Sequence, residues 1–246
     1  MTRRRWIADQ VSGNRAVLLG SHAEHLSRVL RARLGQEFDV STGEEVRRGR
    51  IVSISPERVE FELGESVPAG DSLHVTLALS IFKFDRMEWA IEKCTELGAW
   101  RIVPVIAQRT ESHLAAAAAK RVERWRRIAQ EAAEQSRRAS APEISLPMKL
   151  KDALALPGRT RIVLSEAEEQ LSLKNALERA SDDIVLAFGP EGGWTETELE
   201  AFRGAAWMAA SLGNTILRAE TAAIAAMAIV TAELSEFCSA TTFKRS

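Results

Sequence analysis

The segment Phe188-Gly-Pro-Glu-Gly-Gly-Trp-Thr195 places three glycines between an apolar run, Ile184 to Phe188, and a helix start marked by Thr195 and Glu198. Glycine accepts positive φ and lets backbone approach a ligand closely. Gly189, Gly192 and Gly193 could therefore cradle a small molecule at the carboxyl end of a strand. The chain has neither GxxxxGK[ST] nor GxGxxG, so the usual nucleotide loops are excluded. Glu191, inside the loop, would repel a phosphate. A positively charged ligand, or one read by backbone amides and carbonyls, is more compatible. The same residues would also serve as a tight strand-to-helix turn with no ligand.

A second segment, Ser211-Leu-Gly-Asn-Thr-Ile-Leu-Arg-Ala-Glu-Thr-Ala-Ala223, turns at Gly213 and enters a helix rich in alanine. Small residues let other backbone pass close by. Arg218 and Glu220 stand where an apolar strand meets that helix, as chemical groups or as a capping ion pair. Arginine is clustered: Arg3, Arg4 and Arg5; Arg28, Arg31 and Arg33; Arg47, Arg48 and Arg50; Arg121, Arg124, Arg126 and Arg127; Arg137 and Arg138. Such clusters can form a phosphate-binding stripe or a solvated surface balanced by neighbouring glutamates. Cys94 and Cys238 have no CxxC or Cys/His spacing, and the four histidines do not group, so no disulfide framework or metal site is expected.

The elements that must position these residues fall into two patterns. The first seventy or so residues predict short strands, at Arg15 to Leu19, Glu37 to Val40, Val46 to Ile54 and Val59 to Leu63, with one helix over His22 to Arg33. This predicts a small β-barrel over residues 1–70, with a linker at Gly64 to Asp71. Beyond it, strands at Val75 to Ile81, Ile102 to Ile106, Ile162 to Leu164 and Ile184 to Phe188 alternate with helices, which predicts an α/β domain with a largely parallel sheet over residues 71–246. Met87, Ala90, Ile91, Cys94 and Leu97 share one helix face, with Gly98 as the stop and Trp89 off the stripe. A long helix is predicted over Lys120 to Arg138, with the alanine patch Ala115 to Ala119 as its start. Arg127, Glu131, Gln135 and Arg138 form its second face, toward RNA, a partner or solvent.

The 246 residues are 46% hydrophobic and 27% charged with a net charge of −1, which suits a soluble globular protein and leaves any nucleic-acid binding to local charge. No signal peptide is visible. The longest apolar run, Ala222 to Val230, is too short to cross a bilayer. A cytoplasmic location and no membrane partner are expected.

Five motifs together resemble the SPOUT methyltransferases, and within them the family that methylates N3 of a uridine in small-subunit (16S) ribosomal RNA. They are His25-Leu-Ser-Arg-Val-Leu-Arg31; Lys83-Phe-Asp-Arg-Met-Glu-Trp89 with Lys93-Cys-Thr-Glu-Leu-Gly98; Arg124-Trp-Arg-Arg-Ile-Ala-Gln-Glu-Ala-Ala-Glu-Gln-Ser136; Gly189-Pro-Glu-Gly-Gly193; and Leu217-Arg-Ala-Glu-Thr-Ala222. The resemblance covers almost the whole chain. It departs at Ala219, where the family usually has Thr; at Asn214, where Arg or Pro is common; and at Arg137-Arg138-Ala139-Ser140, where Gly-Arg-Asn-Arg is frequent.

The resemblance implies a C-terminal domain threaded as a trefoil knot, preceded by a PUA-like RNA-binding barrel. It implies S-adenosyl-L-methionine seated between Gly189, Pro190, Glu191, Gly192 and Gly193, Leu212 and Gly213, and Leu217 and Arg218, with Leu164 to Glu166 as another wall. Arg218 and Arg138 are the candidate cations for the developing uracil anion, and Glu220, Glu191 and Glu134 the candidate proton acceptors. Arg3, Arg4, Arg5, His25, Arg28, Arg31, Lys83, Arg86, Arg109, Gln135 and Arg138 are the candidate RNA contacts. The target base must be unpaired or flipped out. The implied partners are small-subunit ribosomal RNA, free or in the assembled subunit, and a second copy of the chain. The rival readings are an enzyme of the same fold acting on another RNA, and a ribosome-assembly factor that binds RNA without catalysis.

Overall fold

The computed structural model describes residues 5–43, 45–67, 73–136 and 138–242, with side chains described up to residue 234. It divides into two compact units, Met1–Gly70 with Ala133–Ala141, and Asp71–Ala132 with Pro142–Ser246. The stretch Ala133–Ala141 thus groups with the N-terminal residues although it follows them by more than sixty positions in sequence.

The first unit is a six-stranded sheet. Its strands are β1 (Arg5–Ile7), β2 (Gln10–Ser12), β3 (Arg15–Leu19), β4 (Glu37–Ser41), β5 (Val46–Ile54) and β6 (Arg58–Val67), in the order β1-β4-β5-β6-β3-β2. The pairs are antiparallel except β1 with β4. The alternation of Val59, Phe61 and Leu63 with glutamates sends the apolar set inward, where it meets Trp6, Leu18, Leu26 and Ile51. The helix expected over His22 to Arg33 is shorter. An α-helical turn, α1 (Gly20–Glu24), passes into a π-helical turn at His25–Val29, and Arg31 then adopts a positive φ of 50°. A residue held there cannot continue a right-handed helix. The linker expected at Gly64 to Asp71 begins later, because β6 pairs with β5 as far as Val67; residues 68–71 of it lie outside those described.

The second unit is built on a parallel sheet. Its strands are β7 (His74–Ser80), β8 (Arg101–Ile106), β9 (Glu143–Ile144), β10 (Met148–Lys149), β11 (Thr160–Leu164), β12 (Asp183–Phe188) and β13 (Met208–Ala210). The order is β10-β8-β7-β12-β11-β13, with β9 beside β8, and every pairing is parallel. Such a sheet needs cover on both faces. The helices between its strands are α2 (Phe84–Glu96), α3 (Ser112–Ala118), α4 (Val122–Gln135), α5 (Leu150–Ala153), α6 (Leu173–Leu177) and α7 (Glu196–Gly204), and α8 (Ala219–Thr242) follows β13. The strand period of two divides the core. Ile184, Leu186 and Phe188 face Met87, Ile91, Trp125 and Met227, while Val185 and Ala187 face Ala153, Phe202 and Trp207. The α/β layering expected from the alternation of strands and helices is therefore present.

One helical expectation is corrected. The alanines at 115–119 do not begin the long helix. The first four end the separate helix α3, and a 3-10 turn at Ala119–Arg121 redirects the chain into α4. Leu114, Ala118, Val122 and Trp125 are all buried in one cluster, so the redirected chain keeps its apolar side inward across the break. Helix α4 also ends at Gln135, not Arg138.

Candidate active site

Because the strands are parallel, their carboxyl ends emerge on one side. Lys83 follows β7, Leu164 closes β11, the glycine loop follows β12, and residues 211–218 follow β13. In sheet order β7 and β12 are neighbours, and the chain continues from β7 to β8 on one side and from β12 to β13 on the other, the arrangement that opens a crevice at strand ends. A cavity of about 460 Å³ lies there. It gathers Leu164, Glu166, Gly189, Pro190, Glu191, Gly193, Leu212, Gly213, Leu217 and Arg218 in one wall system, although they come from three separate parts of the chain. Gly192 is not in the lining; its carbonyl accepts a hydrogen bond from Arg109 Nη1 at 2.5 Å.

The glycine loop is built by its own sequence. Gly193 sits at φ 67°, and a Cβ there would come within 3.1 Å of Glu166 Oε1. A Cβ on Gly189 would meet the backbone of Gly193 at 3.4 Å. The positive φ at Gly193 strains any other residue there, and the loop packs closely on itself and on Glu166 just beyond β11. Trp194 Nε1 donates to the Leu164 carbonyl at 3.0 Å, joining the loop to β11. The expected capping box is formed: Thr195 Oγ1 accepts from Glu198 N, and Glu198 Oε2 accepts from Thr195 N at 2.9 Å. Glu198 is buried, and its other oxygen accepts from Gln108 N at 2.7 Å, so α7 begins against the loop after β8.

Sequence reasoning missed Ala167, Trp194, Leu199, Thr215, Ile216 and Ala222, which also line the cavity. Each flanks a residue that was singled out, but nothing in type or periodicity distinguishes them.

The charged candidates separate. Arg218 is exposed in the cavity wall. Glu220 is buried at the start of α8, and its Oε2 has no hydrogen-bond partner among the described residues. Arg86 lines the cavity, with Nη1 3.0 Å from Glu191 Oε1 and Nε 3.7 Å from Glu220 Oε1. Lys83 is an exposed lining residue.

Glu134, Gln135 and Arg138 belong to the first unit and are not among the lining residues. Glu134 faces His22 Nε2 at 3.2 Å, and His22 Nδ1 faces Asp9 Oδ2 at 3.3 Å. Burial pushes the Arg138 guanidinium down to about 10. His25 and Arg31 are exposed, and Arg28 is exposed in an ion pair with Glu24. Arg3 and Arg4 lie outside the described residues, as does the side chain of Arg5.

Among the described residues no helix is long and apolar enough to cross a membrane. The fold and cavity define an α/β protein with an open cavity at the carboxyl edge of a parallel sheet. A family model described as RNA methyltransferase domain matches residues 70–231, and the chain belongs to that family. More particularly, it is similar to Ribosomal RNA small subunit methyltransferase E of a Synechocystis strain, at 33% identity over 92% of this chain and 76% of the relative. The enzyme of the same name from Aquifex aeolicus is 32% identical over 91% of this chain and 96% of its own length. The crystal structure of a Ribosomal RNA small subunit methyltransferase E from Neisseria gonorrhoeae bound to S-adenosyl methionine superposes with a TM-score of 0.82 at 30% identity, covering 94% of this chain and 98% of that one.

Proposed function

We propose that this protein transfers the methyl group of S-adenosyl-L-methionine to N3 of a specific uridine in 16S ribosomal RNA. The observation that carries this reading is the convergence of the loops 189–193 and 212–218 on one cavity at the sheet's carboxyl edge. That cavity suits the cofactor. Its walls combine apolar side chains with the small residues Ser165, Ala167, Gly189, Gly193, Gly213, Ala219 and Ala222, Gly193 leaves space that a Cβ would fill, and charges of both signs line it, Glu166 and Glu191 beside Lys83, Arg86 and Arg218, as a ligand that itself carries both signs requires.

Bound in this cavity, S-adenosylmethionine supplies a methyl group activated by its sulfonium. Gly189, Pro190, Glu191, Gly193, Leu212, Gly213 and Leu217 would hold it through main-chain atoms, with Leu164 and Glu166 as the third wall. The chain's remaining task is to bring uracil N3 into line with that methyl group, and orientation supplies much of the acceleration. The N3–H bond breaks as the N3–CH₃ bond forms, so the proton needs an acceptor. Of the three candidate carboxylates, Glu134 faces His22 in the first unit, Glu191 is hydrogen-bonded to Arg86 at 3.0 Å, and Glu220, next to the lining residues Arg218, Ala219 and Ala222 in sequence, lies 3.7 Å from the same arginine. Glu220 keeps one oxygen without a partner, and we assign the proton to it. Arg218 at the cavity wall stabilises negative charge on the uracil carbonyl oxygens.

Residues 1–70 serve as a PUA-like RNA-binding module, and residues 71–246 as a SPOUT domain whose C-terminal part is threaded as a trefoil knot. His25, Arg28 and Arg31 hold flanking phosphates. The enzyme works as a cytoplasmic homodimer, with the exposed Trp89 at the interface, on small-subunit RNA free or in the assembled subunit.

The test is mass spectrometry of 16S RNA from a deletion strain. One N3-methyluridine should disappear and return with the intact gene, but not with Arg218→Ala. An unchanged modification profile refutes the assignment. Methylation of transfer RNA or large-subunit RNA instead would move it to another RNA. Calorimetry with no heat of cofactor binding would favour a non-catalytic assembly factor.

A further inference from the structure

We propose that Arg86 is a positioning residue, tying the glycine loop to the first turn of α8 so that the two sides of the cofactor cavity keep one separation. This rests on reading the cavity as the S-adenosylmethionine site.

Arg86 lies in the first turn of α2, and its planar guanidinium has two edges in use. Nη1 is 3.0 Å from Glu191 Oε1 in the loop, and Nε is 3.7 Å from Glu220 Oε1 at the start of α8. A third of the arginine side chain is exposed but only 5% of the Glu220 side chain, so the second contact is the shielded one. Helix α8 is tied to α2 again near its middle, where Thr231 Oγ1 donates to the Leu97 carbonyl at 3.0 Å. The two ties are equally spaced along both helices, which therefore run parallel and in register. With α8 anchored on α2, a side chain that starts on α2 and reaches the loop sets the distance between loop and helix. On the loop's other flank, Arg109 holds the Gly192 carbonyl. Main chain and side chain of the loop are thus each held by a guanidinium that sequence reasoning assigned to RNA phosphates. Without Arg86, Glu191 and Glu220 would present uncompensated carboxylates toward one region, and like charges would push loop and helix apart. Lysine cannot replace the fork, since one ammonium lacks two rigid donor edges.

The experiment uses the full-length protein and measures S-adenosylmethionine affinity by calorimetry, with kcat and KM for small-subunit RNA at several salt concentrations. It compares wild type, Arg86→Ala, Arg86→Lys, Glu191→Ala and the double variant Arg86→Ala/Glu191→Ala. Arg86→Ala and Glu191→Ala should each weaken cofactor binding about tenfold, or ~1.4 kcal/mol. The double variant should be little worse than either single, because the two side chains act as a unit. Arg86→Lys should recover only part of the loss. KM for RNA and its salt dependence should stay at wild-type values. Unchanged cofactor affinity with a raised KM for RNA and a shallower salt slope would make Arg86 a phosphate contact and overturn the proposal. Additive losses would also overturn it, as would weakened binding matched by an equal fall in cofactor-free stability. If Arg86→Ala does not fold, Glu191→Ala decides, since full cofactor affinity there is incompatible with the tie. Failure of wild type to bind the cofactor would instead refute the reading of the cavity.

Discussion

The indole Nε1 of Trp194 donates to the main-chain carbonyl of Leu164 at 3.0 Å, so the residue that ends the glycine loop is fastened to the residue that ends β11. The same ring packs edge-on against Phe202, with centroids 4.9 Å apart, and Phe202 packs likewise on Trp207. Trp194→Phe keeps an aromatic ring in place and removes the donor. It should cost about 1 kcal/mol of stability and weaken cofactor binding several-fold. Urea unfolding and calorimetry measure the two losses, and unchanged affinity would mean that this bond does not shape the cavity.

Gly193→Ala tests the space reserved in the cavity wall. The residue sits at φ 67°, and the added methyl would lie 3.1 Å from Glu166 Oε1. Backbone strain alone should cost ~1 kcal/mol, and cofactor affinity should fall by more than that strain accounts for. Gly204→Ala is the matched control, because a Cβ there meets nothing within 4 Å. It should be neutral or stabilise by up to about 1 kcal/mol. Equal behaviour of the two alanine variants in thermal unfolding and calorimetry would contradict the assignment.

Glu198 accepts from Gln108 N, Thr195 N and Thr195 Oγ1 while buried. Glu198→Gln has the same shape but sets an amide NH₂ where a carboxylate oxygen now accepts from a backbone N–H. One donor is left unpaired, and the loss should be roughly 1–3 kcal/mol. A melting temperature within a degree of wild type would show that the helix start is held by other contacts.

Cys94 lies in the core with no exposed surface, and burial alone pushes its thiol far above the ordinary cysteine range. In a Cys238→Ser background it should resist thiol reagents under native conditions at pH 8 and react only as fast as the second unit opens. Rapid labelling followed by absorbance, without denaturant, would place that helix face elsewhere.

Arg31 combines a positive φ of 50° with an exposed side chain. Glycine relieves the strain, so Arg31→Gly should leave stability unchanged or raise it by up to ~1 kcal/mol. If the guanidinium meets a phosphate, RNA binding should weaken at all sequences and its salt slope fall by about one. Filter binding over a salt series measures this; an unchanged slope would remove Arg31 from the RNA surface.

The chain's own residues determined local structure well wherever the cause is local. The two-residue alternation in Val59 to Leu63 and the apolar run Ile184 to Phe188 gave strands, the helical stripe from Met87 to Cys94 gave α2, and Thr195 with Glu198 gave a cap. Glycine spacing marked both loops that meet at the cavity. The breaks were illegible. The turn at Ala119–Arg121 interrupts residues that all favour helix, because the packing of Leu114, Ala118, Val122 and Trp125 outweighs local preference. The short strands β1 and β2 have three residues each, too few for a period to show.

Sequence by itself thus settled the longer strands, which segments turn on glycine and which charged residues lie near those turns in sequence. Only the tertiary structure decided which charges meet. Arg86 and Arg109 read in sequence as surface cations for phosphates, yet their guanidiniums reach Glu191 and the Gly192 carbonyl across 105 and 83 positions of chain. A charge acts over a few ångströms, and the distance between two charges remote in sequence is set by how the sheet orders its strands, which no local pattern encodes.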